Sequence, residues 1–341
     1  MSSLKDSSIP HTRSQKPVQS VPAYSWDVNP IWTRADEGGH WGYGDNNGYN
    51  WPKLCVVGLR QSPIDIRVHD VNYVLLDRME FVHYDHIGPA NISNNGHTIE
   101  ADGFETWGEK QPYIQGGGLK YRYRLVRVHF HWAQYDHFGS EHKIGGLHYP
   151  AELHLVHVRH DLTLSEAVRK IDGIAVVGVF LMIEDNGSST AAFSSVIENI
   201  IFPVRGFRTQ PLLPKHTEAF YRYEGSLTTP ECYEAVIWTL LAEPITINGT
   251  QIEQLRQVQF QNGDQYRHNY RSTKPLNERR ILYRPSSFNK KLLCGGLQTT
   301  SIFAALLINQ DVLEPRREMW SYLVAQIEMH IRVRLESKRI Q

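Results

Sequence analysis

The chain has 341 residues, of which 36 are basic and 36 acidic, so its formal net charge is zero and gives no electrostatic reason for nucleic acid or an anionic membrane as main partner. Hydrophobic residues make up 41%, enough for a substantial core, and the length suits one large domain or two small ones. The longest apolar run, "IAVVGVFLMI" at residues 174–183, falls far short of the ~20 residues a membrane-spanning helix needs, which argues against a transmembrane segment.

Residues 1–38 are polar and rich in Ser and Pro, and read as a disordered leader. They contain no apolar core of a secretory signal, which predicts a cytoplasmic protein. From residue 39 to residue 287 the chain is dense in short alternating runs, among them "YRYRLVRVHFHW", "AELHLVHVRH" and "EAVIWTLL", separated by Gly, Pro and Asn. This pattern predicts a mainly β protein built on an antiparallel sheet. Within this region two segments carry helical periodicity, 162–171 ("LTLSEAVRKI") and the neighbourhood of 251–260 ("QIEQLRQVQF").

Within the stretch 127–132, "RVHFHW", His129 and His131 stand two residues apart. On a strand both imidazoles emerge on one face, with Val128, Phe130 and Trp132 on the other. Among 17 histidines such a spacing is unremarkable by itself, and a polar sheet face accommodates it. The next predicted strand, "AELHLVHVRH", places Glu152, His154 and Val156 on one face and Leu153, Leu155 and His157 on the other. A third imidazole on a neighbouring strand can converge with the first two, and three neutral nitrogens with an open fourth position are the donor set of a catalytic zinc. Glu152, beside His154, is placed to accept the proton of the non-ligating ring nitrogen and so fix the tautomer. His157 points away and reads as a core histidine.

Beyond residue 287 the character changes. In "PRREMWSYLVAQIEMHIRVRLESKRI", Trp320, Val324, Ile327, Ile331 and Leu335 recur at helical spacing, in a segment with six Arg or Lys against three Glu. The extension 288–341 is thus expected to carry a basic amphipathic helix. That helix either packs its apolar stripe on the main domain or docks a partner or membrane surface.

The motifs "QSPIDI", "NNGH", "HFHW", "GSEH", "AELHLVH" and "YEGSLTTPEC" follow one another in the order found in α-class carbonic anhydrases, which the chain resembles from about residue 40 to residue 288. The resemblance implies a single domain with a central twisted, mostly antiparallel sheet and a conical active-site cavity. The implied reaction is zinc-dependent, reversible hydration of carbon dioxide to bicarbonate and a proton, with zinc hydroxide as nucleophile. This family is itself the standard example of zinc lowering the pKa of a bound water to about 7.

Residue by residue, the resemblance assigns zinc binding to His129, His131 and His154, with Glu152, Arg127 and Asn269 surrounding them. Thr228 would accept from the hydroxide while donating to Glu141, and Thr229 would lie beside it. Val156, Val176, Leu227, Val236 and Trp238 would form the apolar pocket for carbon dioxide; read without the family they are ordinary core. His97 would be the proton shuttle, for which an imidazole near its unperturbed pKa is suited. Tyr43 and Asn95 would order water between the metal and the shuttle.

Two positions depart from the family pattern. Arg127 stands where a glutamine usually accepts the ring N–H of the first zinc histidine, and an arginine has no acceptor to offer. Loss of such support typically costs about 10–100-fold in metal affinity or activity, so reduced rather than abolished function is expected. Glu100, near the shuttle, replaces a neutral residue and is expected to raise the pKa of His97. Cys55 and Cys232 match the pair that forms a disulfide in secreted and membrane-exposed relatives, which sets an extracellular-facing location against the cytoplasmic one predicted from the leader. Two free thiols in the cytosol are the other reading of the same pair. A catalytically silent binding module is the competing function, and the intact histidines, Thr228 and Glu141 argue against it. A zinc peptidase is disfavoured by the lack of an H-E-x-x-H helix.

Overall fold

The computed structural model describes residues 41–43, 51–184, 204–258 and 268–286. The expected leader and the expected C-terminal helix, with its partner or membrane contact, lie outside the described residues. The strands of the first half are β1 (Asp65–Ile66), β2 (Val71–Tyr73), β3 (Met79–Val82), β4 (Gly88–Asn94), β5 (Ile99–Asp102) and β6 (Tyr113–Gly116). They are followed by β7 (Tyr123–Trp132), β8 (Lys143–Ile144), β9 (Ala151–Arg159) and β10 (Ile174–Ile183). The last five are β11 (Val204–Phe207), β12 (Phe220–Gly225), β13 (Val236–Leu241), β14 (Ile245–Ile247) and β15 (Ile281–Arg284).

The main sheet runs β11-β4-β5-β7-β9-β10-β13-β12-β15-β2, with β3, β6 and β14 attached beside it. Only β10 with β13, β10 with β14 and β15 with β2 are parallel in it; the other pairings are antiparallel. The mainly β, mostly antiparallel architecture expected from the alternating runs is therefore present, as a mixed sheet.

Alternation along the central strands separates two faces. Val128, Phe130, Leu153, Leu155, Val177 and Val179 pack with Phe104, Phe207 and Leu241 into the main core. Residues between them in sequence, including His129, His131, His154 and Val176, therefore point to the opposite face. In β7 this arrangement depends on an irregularity. Tyr123 and Leu125 also belong to the core, and uninterrupted alternation from them would send Arg127, His129 and His131 inward. The register shifts between Leu125 and Arg127, which sit opposite His157 and Val156 with Val126 as the extra residue. This bulge reverses the parity, so both halves of β7 bury their apolar side chains while the histidines take the opposite face of the sheet.

Helices are few and short. The segment 162–171 is helical only over Leu164–Ala167, started by a capping box in which Thr163 and Glu166 satisfy each other's backbone N–H groups. It stops early because the chain must turn into β10 at Gly173, where a Cβ would lie 2.0 Å from the Ala167 carbonyl oxygen. The second expected helix spans Gly249–Arg256, capped in the same way by Asn248 and Gln251. Among the described residues, no helix is long and apolar enough to cross a membrane. Cys55, in the short helix Lys53–Val57, is disulfide-bonded to Cys232, 177 residues away in sequence.

Candidate metal centre

His129 and His131 descend from β7, and His154 lies directly opposite His129 on β9. The ring centroids of the three are 5.0, 5.1 and 4.5 Å apart, and one ring nitrogen from each lies within 4.8 Å of the others. His131 and His154 are buried, and His129 is partly exposed. Burial first, and then mutual repulsion, holds His129 well below the usual imidazole pKa and His131 at about 3; burial also lowers His154. The cluster is therefore neutral over the physiological range, which is the protonation state that metal ligation requires.

Outer hydrogen bonds decide which lone pair each ring presents. His131 Nδ1 lies 2.7 Å from the carbonyl oxygen of Asn269, which can only accept, so this nitrogen carries the proton. Its Nε2, buried and without a hydrogen-bond partner, is left with a free lone pair. His154 Nε2 donates to Glu152 Oε1 at 2.8 Å, which leaves Nδ1 as its lone-pair nitrogen. That Nδ1 lies 3.3 Å from His129 Nε2. The lone pairs of His131 Nε2 and His154 Nδ1 therefore face the His129 ring, and three neutral imidazole nitrogens gathered in this way suit zinc. The residues present thus fit the metal that the sequence implies.

Glu152 is held well below the ordinary carboxylate pKa: burial alone would raise it, but His142 and His154 outweigh burial. His142 went without a role in the sequence reading, although it closes the "GSEH" motif. Its Nδ1 lies 2.7 Å from Glu152 Oε1, its backbone N–H donates to Glu152 Oε2, and its Nε2 lies 2.6 Å from the Tyr223 hydroxyl. Tyr223 donates onward to Ser62. The result is a buried chain from Ser62 to His154 that locks the Glu152 rotamer. Gly178 makes room for it: a Cβ there would lie 3.1 Å from Glu152 Oε1 and 2.4 Å from Leu240 Cδ2.

Glu141 is fully buried, with Oε2 3.6 Å from His131 Nε2 and 3.9 Å from His154 Nδ1. Burial pushes its pKa well up, opposed by a hydrogen bond from Thr228 and the backbone N–H of Arg271. A cation held by the histidines would favour its carboxylate form further. Arg271 was also missed from sequence. Its N–H donates to Glu141 Oε1, while its guanidinium binds the carbonyls of Cys55 and Ser62 and the side chain of Gln61. It thereby ties the Glu141 site to the region of the disulfide, where Cys232 N also donates to the Thr229 carbonyl.

Val156, Val176 and Trp238 lie in one row across β9, β10 and β13, with Val156 and Trp238 each paired to Val176. Leu227 and Val236 are buried too. The Trp238 ring centroid lies 4.8 Å from that of His154, so the apolar row abuts the histidines. Of these side chains only Thr229 is partly exposed; Thr228 is 5% exposed.

His97 stacks on Trp41, centroids 3.8 Å apart, and the Trp41 ring in turn meets those of Tyr43 and Trp51 edge-on. Asn95 does not present its amide only to solvent: Oδ1 accepts from the N–H groups of His97 and Thr98, and Nδ2 donates to Glu100. Glu100 is tied to the same turn. Its carboxylate pairs with Arg127 at 3.1 Å and with Asn95 at 2.8 Å, both partners within the protein. Consistent with the donor-only chemistry of arginine at position 127, His129 Nδ1 has no hydrogen-bond partner.

A twisted sheet that gathers three histidines able to hold a metal ion beside an apolar row has the make-up of a metal-dependent enzyme site. The chain belongs to the eukaryotic-type carbonic anhydrases, whose family model matches residues 40–285. It is 52% identical over 271 residues to a putative carbonic anhydrase 5 of Caenorhabditis elegans, covering 77% of this chain and 87% of the relative. It is 41% identical over 254 residues to a putative carbonic anhydrase 3 of the same nematode, covering 72% and 98%. Human carbonic anhydrase 7 is 35% identical over 253 residues, covering 70% and 95%. The activity of the family is carbonate dehydration and its reverse, the hydration of carbon dioxide.

Proposed function

We propose that this chain hydrates carbon dioxide with zinc held by His129, His131 and His154 and with His97 as the proton shuttle. The observation that carries the reading is the commitment of His131 Nδ1 to Asn269 and of His154 Nε2 to Glu152, which leaves the inner lone pairs facing one another. When bound, zinc supplies the Lewis acidity that makes a water nucleophilic near neutral pH.

The protein then has to orient that nucleophile. A threonine hydroxyl has a single proton. Given to Glu141, it leaves Thr228 Oγ1 able only to accept from the nucleophilic oxygen, which keeps a lone pair directed at the apolar row. Val156, Val176, Leu227, Val236 and Trp238 exclude water and hold an uncharged, non-polar substrate, while the backbone N–H of Thr228 and the neighbouring Thr229 receive its oxygen. Addition of water to carbon dioxide yields bicarbonate and one proton. His97 takes that proton through water ordered by Tyr43 and Asn95 and passes it to buffer.

The Cys55–Cys232 disulfide supports an oxidising compartment, and so an extracellular or luminal site of action over a cytoplasmic one. Carbon dioxide and bicarbonate are the expected small-molecule partners.

The reading is tested by stopped-flow hydration of carbon dioxide with purified, zinc-loaded protein and a His129→Ala control. Turnover lost in the control is the expected result. Stoichiometric zinc with no rate above buffer would overturn it.

A further inference from the structure

Arg127, Glu100 and Asn95 form a connected set that links the metal-binding strand to the shuttle turn. Glu100 lies opposite His129 in the β5–β7 register, and its carboxylate is largely buried. One oxygen of it, Oε2, receives both the Arg127 guanidinium at 3.1 Å and the Asn95 amide at 2.8 Å. Asn95 is thereby held with Oδ1 turned to the chain ahead, where it accepts from His97 N and Thr98 N at 3.0 Å each. The turn is tight: Gly96 has φ 87°, and its N–H donates to Asn94.

An amide that receives two backbone N–H groups fixes the path of three residues, provided its own rotamer is fixed. Glu100 supplies that constraint. Without a partner, a buried carboxylate would be driven to leave; the guanidinium of Arg127, 3.1 Å from Oε2, opposes the penalty of burial and holds it in place. The arginine that deprives His129 of an acceptor therefore has a second consequence, at the shuttle.

We propose that Glu100, locked by Arg127, is a positioning residue for proton export: through Asn95 it sets the backbone of His97 relative to the metal-binding strand. The inference rests on the carbonic anhydrase reading above. It predicts a split in the kinetics, because carbon dioxide attack does not use this set while return of the proton to buffer does.

In Glu100→Ala, kcat in dilute, non-imidazole buffer falls about 10-fold, in the range expected for a misplaced proton-transfer group. Zinc stoichiometry and kcat/KM stay near the parent values, and added imidazole restores kcat. Hydrogen exchange by mass spectrometry, on a peptide covering residues 94–99, accelerates about 10-fold at the His97 and Thr98 amides as their hydrogen bonds loosen. Glu100→Gln, which retains an oxygen for Asn95, keeps most of the parental kcat. If Glu100→Ala does not fold, Glu100→Asp withdraws the carboxylate by one methylene and is expected to act in the same direction. Unchanged exchange at the two amides overturns the proposal, as does a parallel fall of kcat and kcat/KM. An inactive parent would refute the carbonic anhydrase reading, and the exchange measurement would still decide the role of Glu100.

Discussion

His131 Nδ1 lies 2.7 Å from the backbone carbonyl of Asn269, 138 residues further along the chain. The side chain of Asn269 clamps the same region: Oδ1 accepts from Trp132 N at 2.6 Å, and Nδ2 donates to the carbonyls of Phe130 and His97 at 3.0 and 3.1 Å. In Asn269→Ala the contact to His131 survives, because it is made by backbone, while buried polar groups of β7 lose their partner. Stranding them is expected to cost about 1–3 kcal/mol of stability. Urea unfolding of the zinc-loaded variant measures this, and an unchanged midpoint would mean that the clamp contributes nothing.

His131→Ala removes one of three nitrogens and leaves an incomplete donor set. Zinc is expected to be lost on dialysis, and hydration activity with it, while far-ultraviolet circular dichroism keeps the β signature because the core lies on the opposite face. Metal analysis checks the first part; a variant that keeps one zinc per chain would show that this histidine is not a ligand.

Arg127 and Glu100 must be changed together to test the missing acceptor at His129, since Arg127→Gln alone would strand a buried carboxylate. The double variant Arg127→Gln with Glu100→Gln offers a carbonyl to His129 Nδ1. Zinc affinity is expected to rise about 10-fold, at the lower end of what such contacts contribute. Competition with a chelator reads the change, and affinity equal to the parent's argues that another group already serves His129.

The disulfide closes a segment of 177 residues in sequence separation. Replacing both partners, Cys55→Ser with Cys232→Ser, is expected to cost about 2–5 kcal/mol. Thermal unfolding should show a correspondingly lower Tm, and in the parent the same drop should follow reduction. A Tm unaffected by either treatment would exclude the bond as a source of stability.

His157 gives a pH dependence separable from the metal. It faces the core side, with Nε2 on the Tyr84 hydroxyl and Nδ1 on the Ala175 carbonyl, and burial lowers its pKa to about 3. In the unfolded chain it titrates near 6.5. Its contribution is therefore complete above pH 6.5 and declines as pH falls towards 3, because protons bind the unfolded state. The slope is about 1.4 kcal/mol per pH unit, or ~2 kcal/mol between pH 6.5 and pH 5. His157→Gln should flatten the decline in stability measured by urea unfolding across that interval. Parallel curves for parent and variant would contradict it.

Much of the site was legible in sequence because it obeys local periodicity. His129 with His131, and Glu152 with His154, share faces through the two-residue repeat of strands, and His157 is excluded from the site by the same rule. The helix starts at Thr163 and Asn248 are likewise local, set by capping chemistry within one turn. The pairing of Glu100 with Arg127 was not legible because the two residues are brought together only across the β5–β7 pairing. His142 and Arg271 escaped notice for a similar reason, since their roles lie in hydrogen bonds to Glu152 and Tyr223, and to Glu141 and Cys55, respectively.

What the amino-acid order determined by itself is the set of side chains and the face each takes within its own strand: three imidazoles, a carboxylate beside the third, and the apolar residues between them. Only the tertiary structure decided that these faces meet. Alternation counted from Tyr123 would have turned His129 and His131 into the core, and the bulge at Val126 returns them to the opposite face, because Tyr123, Leu125, Val128 and Phe130 are then all buried together. The tautomers of His131 and His154 were decided at the same level. A ring nitrogen keeps its proton where an acceptor is brought to it, and in His131 that acceptor arrives from residue 269 when the sheet closes.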